Sequence, residues 1–345
     1  MRKFAATFAL SAIALAASAI AQAAGGADDT RATVAFIDLH AHPEPTDPAL
    51  AIRAARDGLV TEHALRIVLM PPPFTNEDPN RFEADAFLRI ARSRPDGIAV
   101  FGGGGSLNAM IQESFRSGNA GPEVLARFRA TAENLLLEGA QGFGELAAEH
   151  FVGATPYQYA PSDHPLFLLL ADIAAEHHVP IVLHMEAVPQ DMALPAWLKS
   201  PPNPPQLKGN LANFERLLAH NRGARIIWAH AGWDNSGART PELCRRLLRA
   251  HANLVMDLKI DPAKPGRNPL LVDGNAGAIR PEWIELLREF PDRFVIGTDQ
   301  HYPEPSGHPQ RWEAMARFLR TLPADLRDRI ASKNAEILLG ARANN

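Results

Sequence analysis

Short apolar runs rich in β-branched residues recur eight times along the chain, separated by longer segments of helical periodicity. Strands that alternate with helices pair in parallel, because each helix provides the crossover that a parallel pair needs. Eight such units that close on themselves form a barrel, so the sequence predicts an α/β fold of the (β/α)8 TIM-barrel type. The predicted strands are Thr33–Leu39, Arg66–Met70, Gly97–Phe101, Ala140–Leu146, Pro180–Leu183, Arg225–Ala229, Asn253–Leu258 and Arg293–Gly297.

An open, doubly wound sheet is the alternative architecture for the same alternation. It favours a glycine-rich phosphate-binding turn after the first strand, whereas here that strand leads into Asp38-Leu39-His40-Ala41-His42. The four glycines at 102–105 lack the Gly-Lys-Ser/Thr that completes a phosphate-binding loop. They predict a backbone turn after the third strand instead, and the barrel is favoured.

Helical patterns fill the segments between the predicted strands. Apolar residues spaced three and four apart predict helices at Leu166–His177 and Leu211–Ala219. Thr240-Pro241-Glu242 predicts a helix start, because Thr accepts amide hydrogen bonds as the N-cap and Pro at the first position needs no donor. Pro281-Glu282 and Pro323-Ala324-Asp325 have the same form.

The first 23 residues have the features of a secretory signal peptide. Arg2 and Lys3 are basic, Phe4–Ile20 is almost wholly apolar, and Ala21-Gln22-Ala23 offers the small residues that signal peptidase reads. A membrane anchor is the alternative, for which the apolar run is short. We expect residues 1–23 to be removed, leaving residues 24–345 as a single barrel domain in a bacterial periplasm or secreted medium, with no membrane attachment.

Composition narrows the range of partners. A net charge of −4 is too small to indicate binding to nucleic acid or to an anionic membrane surface. Cys244 is the one cysteine, so no internal disulfide forms, and its place in a helical pattern predicts a buried apolar residue rather than a nucleophile. A small-molecule substrate is therefore expected, and the sequence carries no signature of a particular oligomeric state.

Candidate metal ligands stand at the ends of five predicted strands. His40 and His42 point the same way, since side chains alternate faces along a strand. Any one of the candidates alone is more typical of a hydrogen-bonded histidine or a helix-capping carboxylate, but the carboxyl ends of barrel strands meet at one rim, where active sites lie. Imidazole and carboxylate groups are the usual ligands of catalytic zinc, and the set therefore predicts a metal site. The other candidates are Glu145 on strand four, His184 on five, His230 on six and Asp299 on eight.

This order of residues resembles the amidohydrolase superfamily. The resemblance covers Phe36 to Leu339, and Ile330–Leu339 looks like the closing helix of its amidohydrolase-related (amidohydrolase 2) branch, which also contains decarboxylases. Many members with two metal ions carry a carboxylated lysine on strand four, where this chain has Glu145. Glutamate bridges two ions in some members. The alternative role for Glu145 is to orient a histidine.

The resemblance implies a divalent cofactor, one or two ions, with Zn2+ expected. With two ions, His40, His42 and Asp299 would hold the first, Glu145 would bridge, and His184 and His230 would hold the second. With one ion, His184 would join the first site and His230 would polarise the substrate. The catalytic residues would be Asp299 and His230, with Asp299 moving the proton of the attacking water to the leaving group.

The activity implied is hydrolysis of a small organic ester, lactone, amide or phosphoester by a metal-activated water. Glu145 favours hydrolysis, because a bridging acid suits a hydroxide shared by two ions. A non-hydrolytic decarboxylase on the same barrel is the alternative, and a periplasmic binding protein without catalysis is a third possibility.

Loops after the strands are candidates for substrate contacts. The proline-rich segment Glu186–Leu207 is either a lid or a loose surface excursion, and Pro71–Phe74 is a candidate apolar wall. Trp233-Asp234 and Arg239 follow strand six, where Arg239 would clamp a carboxylate or form an ordinary surface salt bridge. His301 is either solvent-facing or in support of the metal ligands.

Overall fold

Eight parallel strands form the central sheet of the computed structural model, which describes residues 34–44, 47–78, 81–82, 87–88, 97–153, 155–261, 271–273, 278–303 and 310–340. Each predicted strand is found. The expected signal peptide, residues 1–23, lies outside the described residues. The strands are β1 (Phe36–Pro43), β2 (Ala64–Leu69), β3 (Ile98–Val100 and Gly102–Gly103), β4 (Phe143–His150), β5 (Pro180–Met185), β6 (Arg225–Ala231), β7 (Leu254–Leu258) and β8 (Phe294–Ile296).

The strands close into a ring through β3. The first piece of β3 pairs with β2, and the pairing continues through β1, β8, β7, β6, β5 and β4 to the second piece of β3. Only Phe101 separates the two pieces, and its amide donates to Leu69 O across 2.9 Å. The fold is therefore the predicted (β/α)8 barrel.

Five strands run further than the sequence predicts, and the longest extensions are those of β1 and β4. β1 continues to Pro43 because the short strand Gln300–Tyr302, which follows β8, pairs with its last residues. β4 continues to His150 because the strand Gln158–Tyr159 folds back on it in antiparallel orientation. Neither partner strand was predicted, and both extensions lie at the carboxyl rim.

Helices connect the strands at the predicted places. Thr240 caps the helix that begins at Pro241, its hydroxyl accepting from Leu243 N across 3.2 Å, as the cap motif predicts. A π-helical turn, Arg329–Lys333, joins the last two helices. The helices are α1 (Pro48–Thr61), α2 (Leu107–Ser117), α3 (Pro122–Leu137), α4 (Pro165–Glu176), α5 (Leu211–His220), α6 (Pro241–Ala250), α7 (Pro281–Glu289), α8 (Gln310–Thr321), α9 (Ala324–Asp328) and α10 (Asn334–Gly340). None of the helices in the described part of the chain is long and apolar enough to cross a membrane.

The barrel interior is packed at its amino-terminal end. Ile37 and Leu39 of β1 belong to a buried cluster with residues of the other strands, and Leu338 and Leu339 of α10 complete it. The alternate residues, such as Phe36, face the helices instead. With one end closed by α10, the carboxyl end is left for the site.

Candidate metal centre and active site

The six residues predicted from the strand ends come together at the carboxyl rim. Five are buried, and the Asp299 side chain is 14% exposed. His230 and Asp299 adopt left-handed backbone conformations with φ of 70° and 58°. Residues other than glycine adopt this conformation seldom, and they do so preferentially at functional sites.

Glu145 of β4 lies at the centre of the four histidines. Its Oε1 is 2.9 Å from His184 Nδ1, 3.6 Å from His40 Nε2 and 3.9 Å from His230 Nε2. Its Oε2 is 3.5 Å from His42 Nε2. The Glu145 carboxylate is thus within reach of imidazole nitrogens from three strands, β1, β5 and β6. No local sequence pattern specifies that these strands bring their histidines to one carboxylate.

Asp299 faces two of these histidines, His42 and His230. Its Oδ1 is 3.0 Å from His42 Nε2 and 4.0 Å from His230 Nε2. Its Oδ2 accepts a hydrogen bond from Lys259 Nζ across 2.6 Å. The two oxygens therefore have different neighbours.

The donor set fits a divalent ion. In the described part of the chain, His40 Nε2 and His230 Nε2 are buried and have no hydrogen-bond partner, a costly arrangement unless something binds them. Ligand atoms of His40, Glu145 and His230 lie within 4.8 Å of one another, as do those of His40, His42 and Asp299. Imidazole nitrogens and carboxylate oxygens are the donors that Zn2+ takes.

His184 belongs to neither of these two groups. Its Nδ1 contacts Glu145, and its Nε2 is 3.4 Å from Glu186 Oε1. Glu186 in turn accepts from Asn235 Nδ2 across 2.7 Å. Both nitrogens of His184 thus face carboxylates.

Asp257 of β7 orients two of the candidate ligands, His40 and His230, through hydrogen bonds. Its Oδ2 accepts from His40 Nδ1 across 2.8 Å, and its Oδ1 accepts from the backbone amide of His230. His42 Nδ1 donates to Met70 O across 2.9 Å. These hydrogen bonds at Nδ1 direct the Nε2 atoms of His40 and His42 toward the site, where each can bind an ion when its ring is neutral.

The carboxylates of the site are held in the charged form. Burial opposes ionisation of Glu145, but His40 and His184 outweigh it and keep its pKa well below the usual range. Burial likewise opposes ionisation of Asp299, and Lys259 and His42 hold its pKa well below 3.8. Burial and the nearby Lys259 charge lower the pKa of His230, which stays neutral.

A cavity of about 450 Å³ opens over the ligands. Pro72 and Pro73, from the predicted apolar wall, line it, as does Leu198 from the Glu186–Leu207 segment. That segment contains a short antiparallel pair, Met192–Ala193 with Gln206–Leu207, and its apolar side chains cluster with Phe151 and Tyr157. It is therefore a packed cover at the rim rather than a loose excursion.

Of the residues predicted after strands six and eight, some line the cavity and Arg239 is buried away from it. Trp233 and His301 line the cavity, and His301 Nδ1 is 2.8 Å from Glu44 Oε1. Arg239 is buried: its Nη2 donates to Met185 O across 2.7 Å and its guanidinium lies 4.3 Å from the Trp228 ring centroid. Both roles expected for Arg239, a carboxylate clamp and a surface salt bridge, are wrong.

Cys244 is buried, as predicted, and burial raises the pKa of its thiol to about 12. A thiol that stays protonated is a poor nucleophile.

Sequence reasoning missed the contribution of β7. Asp257, Lys259 and Asp261 alternate at its end, which is the period that places side chains on one face of a strand. Lys259 and Asp261 line the cavity, together with His150 at the end of β4 and Arg311 of α8. The alternation was available as a signal, whereas nothing near Arg311 distinguishes it from a surface arginine of α8.

A family model described as Amidohydrolase matches residues 37–341. None of the curated proteins matches the chain. Among solved structures, a probable 2-pyrone-4,6-dicarboxylic acid hydrolase from Acinetobacter baumannii is 14% identical with a TM-score of 0.52, covering 88% of this chain and 99% of that one. A 5-carboxyvanillate decarboxylase from Sphingomonas paucimobilis is 13% identical with a TM-score of 0.47, covering 89% of this chain and 99% of that one.

Proposed function

The chain belongs to the amidohydrolase family, and from that premise we propose that it is a metal-dependent hydrolase of a small organic ester, lactone, amide or phosphoester. One observation carries the proposal: Glu145 and Asp299 face one another across the nitrogens of His42 and His230. The 450 Å³ cavity over them suits a small substrate.

We propose that one divalent ion, Zn2+, binds in the centre. The two candidate groups share His40, whose Nδ1 already bonds to Asp257, so that only Nε2 is available. An imidazole nitrogen has one lone pair and binds one ion. The groups therefore outline a single site, which His40, His42, His230 and Asp299 would hold with Glu145. His184, bound to two carboxylates, would orient Glu145.

When bound, the ion would act as a Lewis acid. It would polarise a scissile carbonyl or phosphoryl group and lower the pKa of the water that it binds. The residues of the chain then have separate tasks. Asp299, ionised and with Oδ1 toward the histidines, accepts a proton from the attacking water and returns it to the leaving group. Trp233 and Leu198 form apolar walls that hold the substrate over the centre.

We further propose that the protein is exported. The basic Arg2 and Lys3, the apolar Phe4–Ile20 run and Ala21-Gln22-Ala23 support cleavage after Ala23. Amino-terminal sequencing of protein from the periplasm and the medium of the producing bacterium tests this. A mature chain that begins at Ala24 is expected, and a full-length chain in the cell interior would contradict export.

A substrate panel on metal-free and Zn2+-restored protein tests the activity. We expect an acid, alcohol or phosphate to be released from one of the four substrate classes only after Zn2+ is restored. His40→Asn should abolish this release. His220→Asn, which alters an exposed histidine paired with Asp172 across 3.0 Å, should not.

Each other outcome has a defined meaning. Release of carbon dioxide from a carboxylated substrate without hydrolysis would make the protein a decarboxylase. Tight binding without turnover would make it a binding protein. Full activity in metal-free protein would refute the metal-dependent mechanism.

A further inference from the structure

Lys259 is a buried cation beside the candidate metal centre. It follows the last residue of β7, and its side chain is 5% exposed. Its backbone amide donates to Ala231 O of β6 across 3.1 Å, which holds the residue at the rim. A buried ammonium group is costly unless it is paired, and Nζ is paired with Asp299 Oδ2 across 2.6 Å.

The aromatic ring of Trp233 fixes the other side of this ammonium group. Lys259 Nζ lies 4.0 Å from the ring centroid, the geometry of a cation–π interaction. Trp233 lines the cavity and follows β6. The ammonium group is thus held between a carboxylate oxygen and a ring face, a more defined environment than a flexible lysine has at a surface.

The backbone of Asp299 is held as firmly as its side chain. Its amide donates to His40 O across 2.8 Å, and its carbonyl oxygen accepts from Arg311 Nη1. With the backbone held, the two side-chain torsions are the remaining freedom, and rotation about the Cβ–Cγ bond would exchange the two oxygens. The hydrogen bond from Lys259 to Oδ2 opposes that rotation and leaves Oδ1 toward His42.

We propose that Lys259 is a positioning residue: by binding Oδ2 of Asp299, it leaves Oδ1 as the oxygen that accepts the proton. The positive charge of Lys259 also competes with the bound ion for the same carboxylate. The role in turnover rests on the proposed hydrolase function. The competition for charge does not, because it concerns binding of the ion alone. Lys259 therefore improves the orientation of Asp299 at the expense of metal affinity.

Lys259→Met tests both parts. We expect kcat to fall about 100-fold with KM within about threefold of the wild type, because a small misplacement of a catalytic group has that effect. Competition with a chromophoric chelator, starting from metal-free protein, should show Zn2+ bound about tenfold more tightly, since a like charge near the ion is gone. A misfolded variant would bind Zn2+ more weakly.

Three further variants sharpen the test. Lys208→Met removes an exposed lysine that pairs with Asp191 across 2.7 Å, and it should change neither kcat nor Zn2+ affinity. Lys259→Arg keeps the charge and should restore the wild-type Zn2+ affinity and part of kcat. In an Asp299→Asn background, Lys259→Met should cause no further loss of kcat.

The outcomes separate this inference from the proposed function. A raised KM with unchanged kcat would show that Lys259 binds substrate instead, and additive losses in the double variant would show that it acts apart from Asp299. If no substrate is hydrolysed by the wild type, the proposed function fails. The chelator experiment then still decides the inference, since unchanged or weaker Zn2+ binding in Lys259→Met overturns it.

Discussion

His40 Nδ1 donates to Asp257 Oδ2 across 2.8 Å inside the barrel, and neither side chain is exposed. The two residues lie on β1 and β7, which are separated in the barrel by β8. The bond directs His40 Nε2, which has no hydrogen-bond partner among the described residues, into the candidate metal centre. Asp257 thereby links a structural hydrogen bond to the capacity of the site to hold an ion.

Asp257→Asn should weaken Zn2+ binding about 10- to 100-fold. If the asparagine oxygen keeps the bond to the His230 amide, its NH2 group faces His40 Nδ1 and favours the tautomer that cannot bind metal through Nε2. Chelator competition measures the affinity. Asp172→Asn, at the exposed pair with His220, is the matched control. Equal Zn2+ affinities in the two variants would show that Asp257 does not set the tautomer.

Zn2+ should stabilise the fold through Glu145. An ion at one hundred times its Kd raises the free energy of unfolding by about 2.7 kcal/mol if it binds the folded state alone. Glu145→Gln should lose most of this increment, while Glu133→Gln, at an exposed pair with Arg129, should keep it. Thermal unfolding with and without Zn2+ provides the measurement. If Glu145→Gln keeps the full Zn2+-dependent increase in the free energy of unfolding, Glu145 is not a ligand of the ion.

Gly297→Ala should damage both stability and metal affinity. A Cβ at this position would lie 2.7 Å from Asp257 Cγ and 2.9 Å from His40 Cβ, so either the backbone after β8 or these two side chains must shift. We expect a loss of about 1–3 kcal/mol in the free energy of unfolding, the usual effect of overpacking. Gly340→Ala, where no atom of the described residues lies within 4 Å of the added Cβ, is the control. Urea unfolding that shows similar stability for both variants would contradict the predicted clash.

Glu62 should make stability depend on pH. Burial raises the pKa of its carboxyl from 4.5 to about 8, although Tyr302 donates a hydrogen bond to it across 2.7 Å. Between these values the folded state binds a proton that the unfolded state has released. The stabilising contribution is therefore complete below pH 4.5 and is lost as the pH rises through 8.

The expected slope from this one group is up to about 1.4 kcal/mol per pH unit. Urea unfolding of the wild type and Glu62→Gln from pH 5 to 9 tests it, and the variant should gain relative stability as the pH rises. Glu123→Gln, at the exposed start of α3, is the control. Parallel profiles for the wild type and Glu62→Gln would refute the prediction.

Much of the fold could be predicted from local patterns. The strands were found because each is a short β-branched apolar run, and the start of α6 was found because Thr240 and Pro241 satisfy or remove exposed amides. The extension of β1 to Pro43 was missed, since it depends on pairing with Gln300–Tyr302 about 260 residues away along the chain. Burial of Arg239 was missed because its acceptors are backbone carbonyls of β5 and β6 rather than acidic side chains.

For the site, the sequence by itself determined the kinds of group at the rim. A polar residue that ends an apolar strand, such as His184 or His230, must emerge where the barrel ends, because side-chain direction along a strand is a local property. Only the tertiary structure decided which of these groups meet. Closure of the barrel brings Asp257 to His40 and Lys259 to Asp299. These pairings depend on distances between strands that are far apart in the chain, and such distances are set by packing of the whole fold.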